Sequence, residues 1–129
     1  MFRYAIAIMA TLGVINGASA EKFDTGHDLE VACRSAVEII EKEASLVGSD
    51  GFRVGACVGY IKGTIDTIST LYPPKDKWLC LPNIMTPTKT IKEVIQYVES
   101  NPKSRQYPAA RLVVMTMWKN WRCPAKTRQ

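Results

Sequence analysis

The first regular pattern of hydrophobic and polar positions begins near residue 29. Apolar residues recur there at the spacing of one helix face, at Leu29, Ala32, Cys33, Ala36, Val37 and Ile40. Charged residues such as Glu30, Arg34, Glu38 and Glu41 fill the intervening positions. This spacing predicts an amphipathic helix, and Thr25 or Asp24 can cap its N-terminus.

A second helical pattern runs from Val54 to Leu71. Its apolar positions are Val54, Cys57, Val58, Ile61, Ile65, Ile68 and Leu71. The β-branched residues would also suit a strand, but the spacing follows a period of 3.6 rather than 2, which favours a helix. Pro73 and Pro74 end it. Residues 44–53 precede it and are expected to form a solvated connector; an adaptable binding edge is the alternative.

Two more helices follow. Thr86 caps the third and Pro87 opens it, and its buried face is Ile91, Val94, Ile95 and Val98. The fourth begins near Pro108, and its apolar positions are Ala110, Val113, Val114, Met117, Trp118 and Trp121. The methionine and the tryptophans on that face are expected to be core residues. The predicted fold class is therefore all-α, a small bundle of about four helices in one domain.

Three glycines interrupt the second helix at Gly55, Gly59 and Gly63. Each step of four residues turns an α-helix by only about 40°, so the glycines fall on one line. A glycine inside a helix costs roughly 1 kcal/mol relative to alanine, and the close approach of another helix would offset that cost. We expect this line to be the ridge against which the first or fourth helix packs. A dimer interface is the alternative.

The N-terminus has the pattern of a cleaved secretory signal. Arg3 precedes an apolar run, residues 4–15, whose length of about twelve residues is too short to span a bilayer. Residues 16–20 then end in an A-x-A cleavage site. We expect residues 1–20 to be a signal peptide, residues 21–129 to form the mature domain, and the product to be periplasmic or secreted. A retained N-terminal anchor is the alternative.

All four cysteines, Cys33, Cys57, Cys80 and Cys123, follow the signal. An even number of cysteines in a small exported protein indicates disulfides. Cys33 and Cys57 lie in consecutive helices, whereas Cys80 precedes the third helix and Cys123 follows the fourth. We therefore expect the pairs Cys33–Cys57 and Cys80–Cys123. Zinc is disfavoured, because no pair has C-x-x-C spacing and the lone histidine, His27, is distant in sequence.

Composition and motifs argue against an enzyme and against nucleic acid as a partner. The chain has 17 Lys and Arg and 12 Asp and Glu; without Arg3 the 16 basic residues leave a net charge near +4, and they are scattered. No phosphate-binding loop or hydrolase motif occurs. His27 is expected to be solvated, and Asp66 to be a buried hydrogen-bonded group. We predict no metal, no cofactor and no membrane span after the signal.

One segment has the composition of a contact loop. Residues 72–78 combine Tyr72 and Trp78 with two prolines and alternating charges. Aromatic residues on rigid loops are common in binding surfaces. Tyr72 and Trp78 are therefore candidate partner-binding residues. Trp78 stands close to Cys80, however, so it could instead cover the core.

Several short motifs follow each other along the mature chain. They are D-L at 28–29, C-x-G-Y-I-x-G-x-x-D at 57–66, C-x-P at 80–82, N-P at 101–102, P-A-A at 108–110 and W-x-C at 121–123. This order resembles the Rap/Tai family, the periplasmic immunity proteins of type VI secretion amidase effectors. The resemblance covers nearly the whole mature chain, and its most specific parts are residues 57–66 and the closing W-x-C.

The resemblance implies an all-helical exported protein that often forms a homodimer and occludes the cleft of a peptidoglycan amidase of the NlpC/P60 kind, without a cofactor. It implies that Gly59, Tyr60, Gly63 and Asp66 are structural motif residues. The sequence departs from the family in two places. The interval between Cys33 and Cys57 is long, which is expected to lengthen the first helix and reshape the surface that meets an effector. In the closing W-P-C, Arg122 takes the place of the proline, which is displaced to Pro124.

The predicted function is therefore inhibition of an amidase effector by binding. The alternative is a stand-alone helical protein of the envelope, such as an acid-stress chaperone that has no amidase partner. The two differ in an acid titration, since only the chaperone would expose its apolar faces as the pH falls.

Overall fold

The computed structural model describes residues 22–72 and 78–125. It contains four α-helices: α1 (Gly26–Glu41), α2 (Gly48–Leu71), α3 (Pro87–Ser100) and α4 (Ala109–Trp121). A 3-10 helix, Pro102–Gln106, links α3 to α4. Within these residues the only β pairing is two isolated bridges. The predicted all-α, disulfide-stapled bundle is confirmed. The predicted signal peptide lies outside the described residues.

A reciprocal cap fixes the start of α1. The hydroxyl oxygen of Thr25 accepts a hydrogen bond from the backbone N–H of Asp28 at 3.2 Å. The carboxylate of Asp28 accepts in turn from the backbone N–H of Thr25 at 2.9 Å. Two N–H groups that the helix itself cannot pair are thereby satisfied. Of the two predicted caps, Thr25 is the one that the structure uses.

The second helix is longer than predicted, because it begins at Gly48 rather than near Val54. Gly48 adopts a φ of 64°, a left-handed conformation that glycine reaches without steric cost. The chain can therefore turn sharply into α2 at this position. Residues 48–53 of the predicted connector consequently belong to α2. The helix ends before Tyr72, as the prolines at 73 and 74 predict.

The glycine line of α2 faces away from the bundle, so the predicted contact ridge is wrong. Gly55, Gly59 and Gly63 are exposed, and a Cβ added at any of them would meet no atom within 4 Å. The buried positions of α2 are Val54, Cys57, Ile61 and Ile65. Gly59 stands two residues from Cys57 and from Ile61, about 200° around the helix from each. The face opposite the core therefore carries the glycines.

The third and fourth helices start and end close to the predicted positions. Thr86 caps α3 by accepting a hydrogen bond from the N–H of Lys89 at 3.3 Å, and Pro87 occupies the first turn. One hydrophobic core joins all four helices. Its fully buried side chains include Leu29, Cys33, Cys57, Ile91, Val94, Val98, Leu112, Val113 and Met117.

The structure contains both disulfides in the pairing expected from the sequence. Cys33–Cys57 joins α1 to α2 with a Cα–Cα distance of 5.3 Å, and both residues are fully buried. Cys80–Cys123 joins the segment before α3 to the residues after α4 at 4.9 Å. Because every cysteine is bonded to another cysteine, no thiolate is free to hold zinc.

A buried carboxylate fastens α1 to the rest of the bundle. Glu30 is 4 % exposed, although its charge suggests the solvent side of the helix. Arg105 of the 3-10 helix donates to it at 2.7 and 2.9 Å, and Arg34 donates at 2.9 Å. Arg34 also bonds Glu99 of α3 at 2.9 Å. The Glu30 carboxylate can remain charged while it is buried because both arginines pair with it.

The same contacts make the carboxyl of Glu30 a source of acid sensitivity. Hydrogen bonds from Arg105, which outweigh the opposing effect of burial, and hydrogen bonds from Arg34 lower the pKa of Glu30 below its ordinary value. A lowered folded pKa stabilises the fold above the unfolded pKa of about 4.3. This stabilisation is lost as the pH falls through the lower folded pKa.

Candidate functional site

The candidate binding surface lies where the C-terminal ends of α2 and α4 meet the segment that follows residue 77. A short backbone bridge pairs Leu79 with Arg122. The N–H of Cys80 donates to the carbonyl of Trp121, and the N–H of Cys123 donates to the carbonyl of Trp78, both at 2.8 Å. The disulfide Cys80–Cys123 crosses the same bridge. The two chain segments are thus held by two hydrogen bonds and one covalent bond.

Three aromatic rings meet beside this bridge. Tyr72 and Trp78 pack edge to face with ring centroids 5.6 Å apart, and Trp78 packs against Trp118 at 5.3 Å. Tyr72 is 48 % exposed and Trp118 is 43 % exposed, whereas Trp78 is half-buried. We name these three residues the aromatic patch. Exposed aromatic residues whose rings are held by neighbours are typical of protein-binding surfaces.

The sequence predicted two members of the patch and missed the third. Tyr72 and Trp78 come together as candidates for partner contact, and Trp78 both packs on the core and contributes to the surface. Trp118 was predicted to be buried, and that prediction is wrong, since the adjacent Met117 takes the core position instead. Residues 73–77 of the predicted contact loop lie outside the described residues.

Two polar contacts hold Trp121, which lies near the C-terminal end of α4. The indole N–H of Trp121 donates to the carboxylate of Glu93 on α3 at 2.9 Å. The ammonium of Lys89 lies 4.8 Å from the centre of the Trp121 ring, a cation–π contact. These contacts join the C-terminal end of α4 to the start of α3. Trp118, one turn before Trp121 on α4, is therefore carried by a fixed helix end.

A groove lies between α2, the segment 81–87 and α3. Its volume is about 410 Å³, and its floor is apolar, formed by Val58, Ile61, Ile65, Leu81, Met85 and Ile91. Lys62 and Asp66 stand at its edge and pair at 2.8 Å. Ile84, in the same segment, is 81 % exposed. This segment and the groove thus expose apolar surface in addition to the aromatic patch.

Of the structural motif residues expected from the resemblance, one is partly buried and three are exposed. Tyr60 is half-buried and packs edge to face on Phe23 at 5.1 Å, and burial raises the pKa of its phenol. Gly59, Gly63 and Asp66 are exposed. The prediction of a buried, hydrogen-bonded Asp66 is wrong, because its carboxylate lies at the surface and pairs with Lys62.

The remaining candidate for chemistry is His27, and its surroundings are those of a surface residue. Its side chain is mostly exposed, and its Nδ1 lies 3.9 Å from the Glu30 carboxylate, beyond hydrogen-bond distance. Among residues 22–72 and 78–125, no group of three His, Cys, Asp or Glu side chains stands close enough to hold a metal ion. In the same residues, no helix is long and apolar enough to cross a membrane.

A disulfide-stapled helical domain that presents an aromatic surface belongs among binding proteins. The family model of the Rap1a immunity proteins matches residues 25–123, so the chain belongs to the Rap1a immunity protein family. Membership confirms that the chain is not an enzyme, and it means that the chain binds a protein effector. No curated protein and no solved structure gives a significant match to the chain.

Proposed function

We propose that the protein is exported and inhibits a peptidoglycan amidase delivered by type VI secretion. Membership in the Rap1a immunity family over residues 25–123 is the observation that carries this proposal. The resemblance to the Rap/Tai family, carried by the C-x-G-Y-I-x-G-x-x-D run from Cys57 to Asp66 and the closing W-x-C at 121–123, implies an amidase as the target. The inhibitor acts by occupying the cleft of the enzyme.

We propose that residues 1–20 are removed on export and that residues 21–129 form the mature domain in the periplasm. The A-x-A site at 18–20 supports this division. The two disulfides support it as well, because small domains keep disulfides in oxidising compartments. N-terminal sequencing of the protein recovered from the periplasm tests it. Recovery of an intact N-terminus would contradict the assignment.

We propose that the aromatic patch, Tyr72, Trp78 and Trp118, contacts the amidase. Two of the rings are exposed and all three are held in fixed contact, so that binding orders few side chains. Lys119 follows Trp118 in sequence, and Arg122 pairs with Leu79, the residue after Trp78. These two cations suit an enzyme surface that carries negative charge. Ile84, which is 81 % exposed, and the apolar groove between α2 and α3 offer the enzyme further apolar surface.

We expect a peptidoglycan amidase to be encoded next to the gene for this protein, and the test of this function uses that amidase. Purified peptidoglycan is digested by the amidase with and without an equal amount of the oxidised protein. We expect digestion to stop at a ratio near one to one. Undiminished digestion, together with no complex on gel filtration, would refute the proposed function.

We propose, as the family resemblance implies, that the protein forms a homodimer. Light scattering on the oxidised protein across a hundred-fold range of concentration measures its mass directly. We expect twice the monomer mass at the upper end of the range. A monomer mass at every concentration would contradict the proposal and leave the amidase assay unaffected.

A further inference from the structure

The two disulfides differ in their access to solvent. Cys33 and Cys57 are fully buried in the core, whereas Cys80 is exposed and Cys123 is half-buried. Thiol–disulfide exchange requires a thiolate to reach one of the bonded sulfur atoms. Cys80–Cys123 can therefore react while the bundle is folded. Cys33–Cys57 can react only when the bundle opens.

The accessible disulfide also lies at the base of the aromatic patch. It crosses the bridge in which the carbonyl of Trp78 accepts from Cys123 and the carbonyl of Trp121 accepts from Cys80. Trp78 is the central ring, since it contacts both Tyr72 and Trp118. Opening the disulfide removes the one covalent bond across the bridge and leaves two hydrogen bonds and the packing of Leu79 and Trp78 on the core. The position of the central ring then depends on these non-covalent contacts.

The buried disulfide holds a different part of the molecule. Cys33 and Cys57 lie in the core together with Leu29, Ile61 and Leu112, and their bond joins α1 to α2. This core also contains side chains of α3 and α4. Reduction of Cys80–Cys123 therefore leaves the main core and its staple in place.

We propose that Cys80–Cys123 is a redox switch that controls the aromatic patch. Oxidised, the bond holds Trp78 between its neighbours; reduced, it no longer ties the segment at 78–80 to the residues after α4, so that the ring of Trp78 can shift against Tyr72 and Trp118 while Leu79 stays in the core. The claim that the switch regulates partner binding rests on the proposed function. The claim that this disulfide opens first and that the aromatic rings respond rests on the geometry alone.

The chemical step is exchange with a protein dithiol of the Cys-x-x-Cys kind. One thiolate of the reductant attacks the sulfur of Cys80, the bond between the two protein sulfurs breaks, and Cys123 leaves as a thiolate. The second thiol of the reductant then attacks the mixed disulfide and releases Cys80. Two electrons and two protons pass to the cysteines, and the reductant is left as a disulfide.

The first experiment measures which bond opens. The oxidised protein is exposed to a graded series of dithiothreitol, quenched in acid, alkylated and analysed by mass spectrometry. We expect Cys80 and Cys123 to be alkylated at least about ten-fold faster than Cys33 and Cys57. Near-ultraviolet circular dichroism should change with the first pair, while the far-ultraviolet helical signal stays. Equal rates, or a helical signal lost in step with the first pair, would overturn the proposal.

A double variant, Cys80→Ser with Cys123→Ser, reproduces the open state without reductant, and Cys33→Ala with Cys57→Ala is the matched control. We expect the serine variant to keep its helical signal, lose the aromatic signal and inhibit the amidase at least about ten-fold less well. If the serine variant fails to fold, the alkylation rates of the wild-type protein decide whether Cys80–Cys123 opens first. Lack of amidase binding by the oxidised wild type would refute the proposed function and leave the alkylation result to judge the switch.

Discussion

Alanine in place of Gly59 or Gly63 should stabilise the protein. Both glycines lie in the middle of α2, on the face opposite its buried residues, and a Cβ added at either would meet no atom within 4 Å. The new methyl group therefore meets no steric obstacle. Alanine also has fewer backbone conformations than glycine to lose on folding.

The expected gain is about 1 kcal/mol at each position, the difference in helix propensity between glycine and alanine. The double variant, Gly59→Ala with Gly63→Ala, should gain roughly 2 kcal/mol, because the helix propensities of single residues sum along a helix. For a domain of this size, each kcal/mol raises the Tm by about 4–8 °C. The double variant should therefore melt roughly 8–16 °C above the wild type.

Thermal unfolding followed by circular dichroism measures the change, and Gly26→Ala supplies the matched control. At Gly26 an added Cβ would overlap the backbone carbonyl oxygen of Ser104 and press on Leu112. That variant should lose about 1–3 kcal/mol. The scans are repeated at two protein concentrations, so that any effect of self-association is recognised by its dependence on concentration.

A loss of stability in Gly59→Ala or Gly63→Ala at low concentration would refute the reasoning. It would mean that this face of α2 packs against the rest of the chain. The original ridge prediction from the sequence would then be correct, and the orientation of α2 would be wrong.

The remaining stability predictions concern the buried charge, a cap and the core. Glu30→Gln should cost about 2–3 kcal/mol at pH 7. It should also flatten the fall in Tm between pH 6 and pH 3, measured by calorimetry. The reason is that the lowered folded pKa of Glu30 makes its stabilising effect disappear in acid. Glu38→Gln, on the exposed side of α1, is its control, and an unchanged pH profile in Glu30→Gln would count against the buried pair. Thr25→Ala should cost about 1 kcal/mol in urea unfolding, since it removes the capping box of α1; no change would show that the cap is dispensable. Leu112→Ala should cost about 3–5 kcal/mol, and a loss below about 1 kcal/mol would place Leu112 outside the core.

The helices could be predicted because their apolar positions recur with helical spacing and their ends carry strong local signals. Thr86 and Pro87 at the start of α3 are such a signal, and so are the prolines after Tyr72. The disulfide pairing could be predicted because Cys33 and Cys57 lie in consecutive helices, while Cys80 and Cys123 flank the third and fourth helices, whose outer ends are neighbours in an antiparallel pair. These features depend on residues that are near each other in sequence or on adjacent elements.

The orientation of α2 was harder to predict from sequence, because glycine has no side chain to mark a face as buried or exposed. The apolar residues do contain the signal: Gly59 stands about 200° around the helix from Cys57 and Ile61. Trp118 was misassigned for a related reason. Trp118 stands about 180° around α4 from the buried Ala109. The predicted buried face began one residue later, at Ala110, and this shift placed Trp118 in the core instead of at the surface.

The burial of Glu30 could not be predicted, because its two arginine partners come from different parts of the chain. Arg34 is one turn away on α1, but Arg105 is 75 residues distant. A charged residue at the edge of an apolar face is usually solvated, and only the tertiary fold brings the second arginine to it. The aromatic patch has the same origin, since Trp118 joins Tyr72 and Trp78 from a distant helix.

The central claim is that this immunity protein binds its amidase through the aromatic patch, and titration calorimetry on the purified pair tests it most directly. The Kd is measured for the wild type, for Trp118→Ala and for Phe52→Ala, whose ring is 57 % exposed near the start of α2. We predict that Trp118→Ala weakens binding about 30-fold, the effect of losing roughly 2 kcal/mol at a hot spot, and that Phe52→Ala changes it less than about two-fold. Equal Kd values for the wild type and Trp118→Ala would contradict the account.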